Sequence, residues 1–301
     1  DIYMFNKMKI SMEKKKFIAI RSHFGHDIAA LLYAFHHGMT AIPLPQTDDK
    51  EVFEAKSKAI YENLAFLGAN IRMVEFEQRD EAEKDSYDFV ADLAARRLPA
   101  DVWKELAQTF FTPRSENGRT EYRELRGKEI MLFVPQKLVS DEKCGVSARQ
   151  KSLPMDVFAF LKRQDNPLLP VLLQNFDRET DLDAVKRVAA DFGLYVPGLT
   201  ENPKLLGLRH HRLPDLYPVY ARARLALGTA GTCNWFLLCT LPQVPQIILY
   251  HRKGSGVWPE IAKAYQAAGY PVYGYGFDEH CDYQELAVQI ERKYRELSGF
   301  F

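Results

Sequence analysis

The sequence predicts an α/β fold of two domains, each built on a doubly wound parallel sheet. The chain has 301 residues, of which 47% are hydrophobic, and this is enough for two hydrophobic cores. Short apolar runs alternate with segments of helical periodicity, which is typical of parallel α/β proteins. A polar stretch at 112–127 contains proline and glycine and interrupts this alternation. We therefore expect a first domain at 1–125 and a second at 126–301.

The first domain has three apolar runs that predict strands, at 17–20, 40–44 and 71–76. Apolar residues at helical spacing predict helices at 28–37, 52–67, 89–97 and 102–110. The helix at 52–67 has the clearest pattern, because Phe53, Ile60 and Leu67 fall on one face. Three strands separated by helices predict a smaller sheet of the same parallel type.

The second domain alternates more regularly. Apolar runs predict six strands, at 130–134, 171–173, 194–196, 225–227, 246–249 and 271–273. The segments between and after them predict helices at 155–163, 181–192, 215–223, 235–241, 259–268 and 282–297. Asp215 is expected to cap one helix, and Asp282 and Glu285 have the spacing of a capping box at another. Six strands joined through helices predict an open, doubly wound parallel sheet.

Charge and composition narrow the class of protein. Lysine plus arginine and aspartate plus glutamate both number 40, so the net charge is zero, which counts against nucleic-acid binding. No apolar run approaches the ~18 residues of a transmembrane helix, and no signal peptide is recognisable. Four cysteines without a CxxC pair favour reduced thiols. We expect a cytoplasmic protein, with contact at the inner face of the membrane left open; the start at Asp1 suggests a piece of a longer protein.

The most informative segment lies at 225–234. An apolar run ends in Gly228, and an apolar helical segment follows at 235–241; the turn between them consists of Thr229, Ala230, Gly231 and Thr232. Backbone N–H groups at such a strand–turn–helix point outward, and the helix dipole favours negative charge there. The turn therefore predicts a phosphate site, although Thr232 acting as a helix cap would explain part of the pattern. The full GxGxxG pattern of dinucleotide binders is absent.

Two segments resemble the heptosyltransferase-like enzymes of bacterial surface polysaccharide assembly, which are glycosyltransferases of the GT-B fold. One is 215–224 leading into the turn at 227–232, and the other is Gly25-His26-Asp27-Ile28 after the first strand. That family's turn usually carries an acidic residue and a later histidine, where this sequence has Ala230 and Asn234. The resemblance implies two Rossmann-like domains facing a cleft, the first binding a glycan or glycolipid acceptor and the second a nucleotide sugar. It also implies inverting transfer in the synthesis of surface polysaccharide such as lipopolysaccharide, with no tightly bound cofactor.

Sugar transfer requires a group that takes the proton of the acceptor hydroxyl. Asp27 is the first candidate, because it follows the first strand, although it could instead cap the next helix. His26 is the alternative, because an unperturbed imidazole titrates near neutral pH.

Donor binding is predicted for residues that follow the strands of the second domain, since ligands of such sheets lie beyond the carboxyl ends of the strands. Besides the turn, these are Arg149, Lys151, Asn175, Arg178 and His251. The cations would neutralise the departing diphosphate, although a solvated loop explains Arg149 and Lys151 equally well.

No metal site is predicted. Asp181 and Asp183 resemble an Asp-x-Asp motif, but they stand where a helix dipole favours acidic residues. Two other functions remain open beside the transferase: a nucleotide-sugar epimerase on the same fold, and a non-catalytic module of a larger polysaccharide synthase. A dehydrogenase is disfavoured by the missing dinucleotide motif.

Overall fold

The structure is a computed structural model that describes residues 15–22, 25–95, 98–113, 125–134, 153–163, 165–173, 182–196, 213–252 and 257–299. The chain divides into two compact units. Unit 1 comprises Asp1–Asn117 and Trp235–Pro242, and unit 2 comprises Gly118–Asn234 and Gln243–Phe301. Among the described residues, no helix has the length and apolar character needed to cross a membrane.

Unit 1 contains a three-stranded parallel sheet. Its strands are β1 (Phe17–Ile20), β2 (Thr40–Pro43) and β3 (Ser86–Tyr87), in the order β2-β1-β3. The strand predicted at 71–76 was wrong: Ile71 makes a single parallel bridge to Ala41, and a 3-10 helix follows at Phe76–Gln78. Only Val74 of this segment is buried, so the segment lacks the apolar face that a longer strand would need.

The helices of unit 1 are α1 (His26–His36), α2 (Lys50–Leu64), α3 (Arg79–Lys84), α4 (Phe89–Ala94) and α5 (Ala100–Leu106), with a 3-10 turn at Ala65–Leu67. Helix α1 is buried continuously from Asp27 to Ala34, which marks it as the central helix of the unit. Asp49 caps α2 and Asp88 caps α4 through their side-chain oxygens. The short strand β3 and helix α3 were not predicted from the sequence.

Unit 2 contains a five-stranded parallel sheet. The strands are β4 (Ile130–Val134), β5 (Leu169–Leu172), β6 (Ala223–Thr229), β7 (Gln246–His251) and β8 (Val272–Phe277), in the order β5-β4-β6-β7-β8. The strand predicted at 194–196 is reduced to one parallel bridge between Tyr195 and Val171, at the outer side of β5. With Tyr195 included, the strand order follows the 3-2-1-4-5-6 pattern of doubly wound sheets. The α/β class and the parallel sheets are thus confirmed, and they are compatible with a Rossmann-like fold.

The helices of unit 2 are α6 (Leu182–Phe192), α7 (Leu213–Tyr220), α8 (Thr232–Thr240), α9 (Trp258–Ala267) and α10 (Tyr283–Ser298), with a 3-10 helix at Met155–Lys162. Helix α8 passes into unit 1 after Asn234. Asp282 caps α10 as predicted, accepting from two backbone N–H groups. Asp215 does not precede α7 but lies in its first turn, because the helix begins at Leu213.

Candidate functional site

The order of the unit 2 sheet reverses between β4 and β6. The chain passes from β4 to β5 on one side and later returns to β6 on the other side of β4. Ligands of open parallel sheets bind beyond the carboxyl ends of the strands at such a reversal. In this sheet the reversal brings Val134, at the end of β4, beside Gly228, near the end of β6. The turn predicted to bind phosphate therefore follows the strand end that the topology marks as a ligand site.

Gly228 is required by the close approach of these two strands. A Cβ atom at this position would lie 1.9 Å from the carbonyl oxygen of Val134, and the φ angle of Gly228 is 150°. The Thr229 hydroxyl donates to the same oxygen at 3.4 Å. The four turn residues are partly exposed, whereas Gly228 before them and Cys233 after them are buried. From Leu225 to Thr240, the four turn residues are thus the ones that are not buried.

Two of the turn's backbone N–H groups already have protein acceptors. Ala230 N donates to Leu249 O at 2.8 Å, and Gly231 N donates to Asn234 Oδ1 at 3.0 Å. Asn234 is 2% exposed, and its Nδ2 donates to Gln246 Oε1 at 3.2 Å. Ala230 and Gly231 therefore shape the turn with their amides, and Asn234 accepts from the amide that precedes α8.

The first turn of α8 supplies the remaining polar features of this site. The first amides of an α-helix have no acceptor within the helix, and the helix dipole makes that end positive. Thr232 opens the helix, so its hydroxyl lies at that positive end. Thr229 precedes this end of the helix by three residues, and its hydroxyl is directed to Val134 O.

His251 lies at the carboxyl end of β7, the strand beside β6. Its side chain is 12% exposed, and its Nε2 is 3.9 Å from a carboxylate oxygen of Glu279. Its ring also meets Phe277 edge-on, with 5.5 Å between centroids. The histidine is thus at the expected end of the sheet but packed against the loop after β8. Arg149, Lys151, Asn175 and Arg178 lie outside the described residues.

Asp27 closes the connection between β1 and α1. Its Oδ1 accepts from Arg21 N at 2.7 Å, and its Oδ2 accepts from the Ser22 hydroxyl at 2.8 Å. Gly25 is the N-cap of α1, so Asp27 does not fill the capping position that the sequence left open for it. The residue is 6% exposed, and this burial raises the pKa of its carboxyl group, against the lowering effect of the two hydrogen bonds.

His26 precedes Asp27 and has a different environment. Burial lowers the pKa of its imidazole, so the ring is neutral near pH 7. Its Nδ1 is buried and has no hydrogen-bond partner within the described part of the chain. The ring meets Trp235, which groups with unit 1, edge-on at 5.9 Å between centroids.

Arg21 is a site residue that the sequence did not indicate. It follows β1, at the point where the unit 1 sheet reverses between β2 and β3. Its guanidinium donates to both carboxylate oxygens of Glu83, at 2.6 and 2.7 Å, and to Asp88 at 2.9 Å. The hydrogen bonds with Glu83 are the largest of the effects that raise the pKa of Arg21. These partners are 62 and 67 residues away in the chain, so no local pattern could reveal them.

A pocket of about 180 Å³ opens beside Arg21 in unit 1. The loop after β2 forms one wall through Leu44 and Thr47, and α3 forms another through Arg79 and Glu83. The lining as a whole carries charges of both signs, from Arg21 and Arg79 and from Asp48, Asp80 and Glu83. The pocket therefore suits a hydrophilic ligand more than an apolar one.

Comparisons of the chain with protein-family models, with curated proteins and with solved structures found no match.

Proposed function

We propose that the chain is a glycosyltransferase that moves a sugar from a nucleotide-activated donor to a hydroxyl group of a glycan or glycolipid acceptor in bacterial surface polysaccharide synthesis. The observation that carries this proposal is the position of the small-residue turn at the reversal of the unit 2 sheet. A ligand with a diphosphate group fits that position, because a helix N-terminus lies there and the small residues of the turn let a phosphate come close.

The donor's diphosphate is assigned to the first turn of α8 and to Thr229 and Thr232. The amides of Ala230 and Gly231 already donate to Leu249 and Asn234. These two residues are therefore assigned to the donor site only for their small size, which lets a phosphate come close. Transfer of the sugar leaves negative charge on the diphosphate, and the positive end of α8 stabilises that charge as it forms. His251 extends the donor site at the end of β7. Arg149, Lys151, Asn175 and Arg178 remain predicted donor contacts.

The acceptor is assigned to unit 1, with Asp27 or His26 as the base. Burial raises the pKa of Asp27, which makes its carboxylate a stronger base. Burial lowers the pKa of His26, which keeps its ring unprotonated and able to accept a proton. The oxygens of Asp27 accept hydrogen bonds from Arg21 and Ser22 yet keep further lone pairs, since each carboxylate oxygen has two. His26 offers a neutral ring nitrogen.

The first experiment measures the thermal stability of the chain with a panel of nucleoside diphosphates and nucleotide sugars. A ligand at 100 times its Kd adds about 2.7 kcal/mol, which raises the melting temperature visibly. The Thr232→Val variant should bind the preferred diphosphate about tenfold more weakly. The control is Thr40→Val, which removes a hydroxyl that accepts from Asn70 in unit 1. If no nucleotide stabilises the folded protein, or if Thr232→Val binds like the wild type, the donor site is refuted.

The second experiment assigns the reaction. Turnover that requires an acceptor identifies a transferase, whereas conversion of the sugar nucleotide alone identifies an epimerase. Asp27→Asn and His26→Gln should show which residue is the base, because the variant that lacks the base loses turnover but still binds the donor. If the wild type binds the donor but shows no turnover with any acceptor, the chain is instead a non-catalytic module.

A further inference from the structure

The end of α1 opposite to the candidate base carries two histidines. His36 is the last residue of the helix and His37 caps its C-terminus. Their rings meet edge-on, with 4.8 Å between centroids, so both lie on one side of the helix end. Helix α5 passes beside them and presents Glu105. The two histidines at the end of α1 are exposed and Glu105 of α5 is partly exposed, and none of the three has a role in the proposed reaction.

The distances among these groups suit a metal ion. One ligand atom from each of the three side chains lies within 4.8 Å of the other two. His37 Nε2 and Glu105 Oε2 are 3.2 Å apart. Two ligands of a tetrahedral zinc ion, each about 2.0–2.1 Å from the metal, are about 3.3 Å apart. His37 Nε2 and Glu105 Oε2 are therefore already at the separation that a shared ion requires.

The hydrogen bond with Thr109 sets the tautomer of the neutral His36 ring. The Thr109 hydroxyl donates to the carbonyl oxygen of Glu105 at 2.9 Å, so it accepts from Nδ1 of His36, at 2.6 Å. His36 is thereby held as the tautomer that keeps its lone pair on Nε2. Thr109 is buried, so this contact also fixes the ring. Metal-binding histidines commonly have such a partner on the second ring nitrogen.

The local charge also favours a cation. The C-terminal end of α1 is the negative end of its dipole. Asp101 lies on α5 one helical turn before Glu105, and Lys104 lies beside Glu105 on the same helix. The helix end and the Glu105 carboxylate therefore both favour a cation next to the histidines.

We propose that His36, His37 and Glu105 form a binding site for a divalent transition-metal ion, zinc above all. Two imidazoles and one carboxylate are a ligand set that zinc favours, and a water molecule completes the four-coordinate shell. The ion ties the end of α1 to α5. This site is independent of the proposed transferase reaction.

The test is a titration of the full chain with Zn²⁺ in competition with a chromophoric chelator. His37→Gln and Glu105→Gln should each weaken binding at least tenfold, since each removes one ligand. The control is His280→Gln, because His280 also faces a glutamate, Glu279 at 3.9 Å, and belongs to no group of three ligands among the described residues. The affinity of His280→Gln for Zn²⁺ should equal that of the wild type. Mg²⁺, which prefers oxygen ligands, should not compete.

Two further measurements make the zinc titration decisive. Urea unfolding without metal shows that each variant is folded, and His36→Gln provides a third ligand variant should another fail. The spectrum of the Co²⁺ form should show tetrahedral bands without a thiolate charge-transfer band. The proposal is overturned if the wild type binds no Zn²⁺, if the ligand variants retain its affinity, or if a thiolate band places the metal at a cysteine.

Discussion

Two strand-to-helix junctions of this chain, one in each unit, use the same local hydrogen bond with different chemistry. At the first junction, between β1 and α1, Asp27 in the first turn of the helix accepts from Arg21 N at 2.7 Å. At the second junction, between β6 and α8, Asn234 in the first turn accepts from Gly231 N at 3.0 Å. In both cases a side-chain oxygen of the helix satisfies an amide of the loop that precedes it, which fixes the turn.

The second polar atom of each side chain marks the difference. Asp27 Oδ2 accepts from the Ser22 hydroxyl, whereas Asn234 Nδ2 donates to Gln246 Oε1. Asp27 can therefore gain or lose a proton, and its pKa is raised by burial. Asn234 cannot titrate. The first junction therefore contains a titratable group, as the proposed base requires, whereas the second holds the shape of an uncharged turn at the positive end of α8.

The largest effect is expected from Gly228→Ala, which should break the second junction alone. The new Cβ would lie 1.9 Å from Val134 O, so the strand ends must separate, and the φ of 150° disfavours a side chain. We expect a loss of about 3 kcal/mol or more in the free energy of unfolding, measured by urea titration. Gly231→Ala is the matched control: its Cβ would come no closer than 3.9 Å to the nearest atom, Thr229 O. Equal losses in the two variants would contradict this account.

Asn234→Ala should have the next largest effect. It removes the acceptor of Gly231 N and the donor to Gln246 Oε1, and Gln246 is completely buried. Unsatisfied buried polar groups cost about 1–3 kcal/mol, so we expect a loss of about 2 kcal/mol that does not vary with pH. Asn70→Ala, which removes one exposed side-chain bond, should cost less than half as much. A negligible loss in Asn234→Ala would show that the turn keeps its shape without this bond.

Sequence patterns predicted the fold where local signals decide the structure. The run at 130–134 became β4 with the predicted ends, and the run at 246–249 became most of β7, because buried parallel strands require continuous apolar residues. The run at 71–76 failed because Arg72, Met73 and Glu75 are exposed, and only the fold decides which side of a short segment is covered. The two-residue strand β3 carries too few residues for any pattern.

The candidate sites were predictable only in part, for the same reason. Gly228 and the turn after it stand next to each other in the sequence, so their pattern was visible. The contacts of Arg21 and the pairing of His36 and His37 with Glu105 join residues more than 60 positions apart. The bond from Gly231 to Asn234 is local, but a sequence cannot show which of several acceptors an amide will choose.

Arg21→Lys should have a smaller effect and would sharpen the account of the first junction. Lysine cannot make the paired hydrogen bonds that the guanidinium makes with Glu83. Because Glu83 is half exposed, we expect a loss of only about 1 kcal/mol. Arg79→Lys is the control, since its partners Asp48 and Asp80 are almost fully exposed, and it should cost about 0.5 kcal/mol or less. The order of the two losses is the prediction, and its reversal would contradict it.

The dependence of stability on pH separates the junctions most directly, because it concerns the proton on Asp27. The folded-state pKa of this carboxyl group is raised above its ordinary value of 3.8, so the folded protein binds the proton more tightly than the unfolded chain does. The resulting stabilisation is complete below the unfolded-state pKa and is lost as the pH rises through the folded-state pKa, with a slope of at most about 1.4 kcal/mol per pH unit. Asp27→Asn should remove this decline, whereas Asn234→Ala should retain it. Urea unfolding of the three proteins from pH 4 upward measures the difference. Parallel profiles for the wild type and Asp27→Asn would mean that burial does not hold the proton, and that the first junction, like the second, serves only to shape its turn.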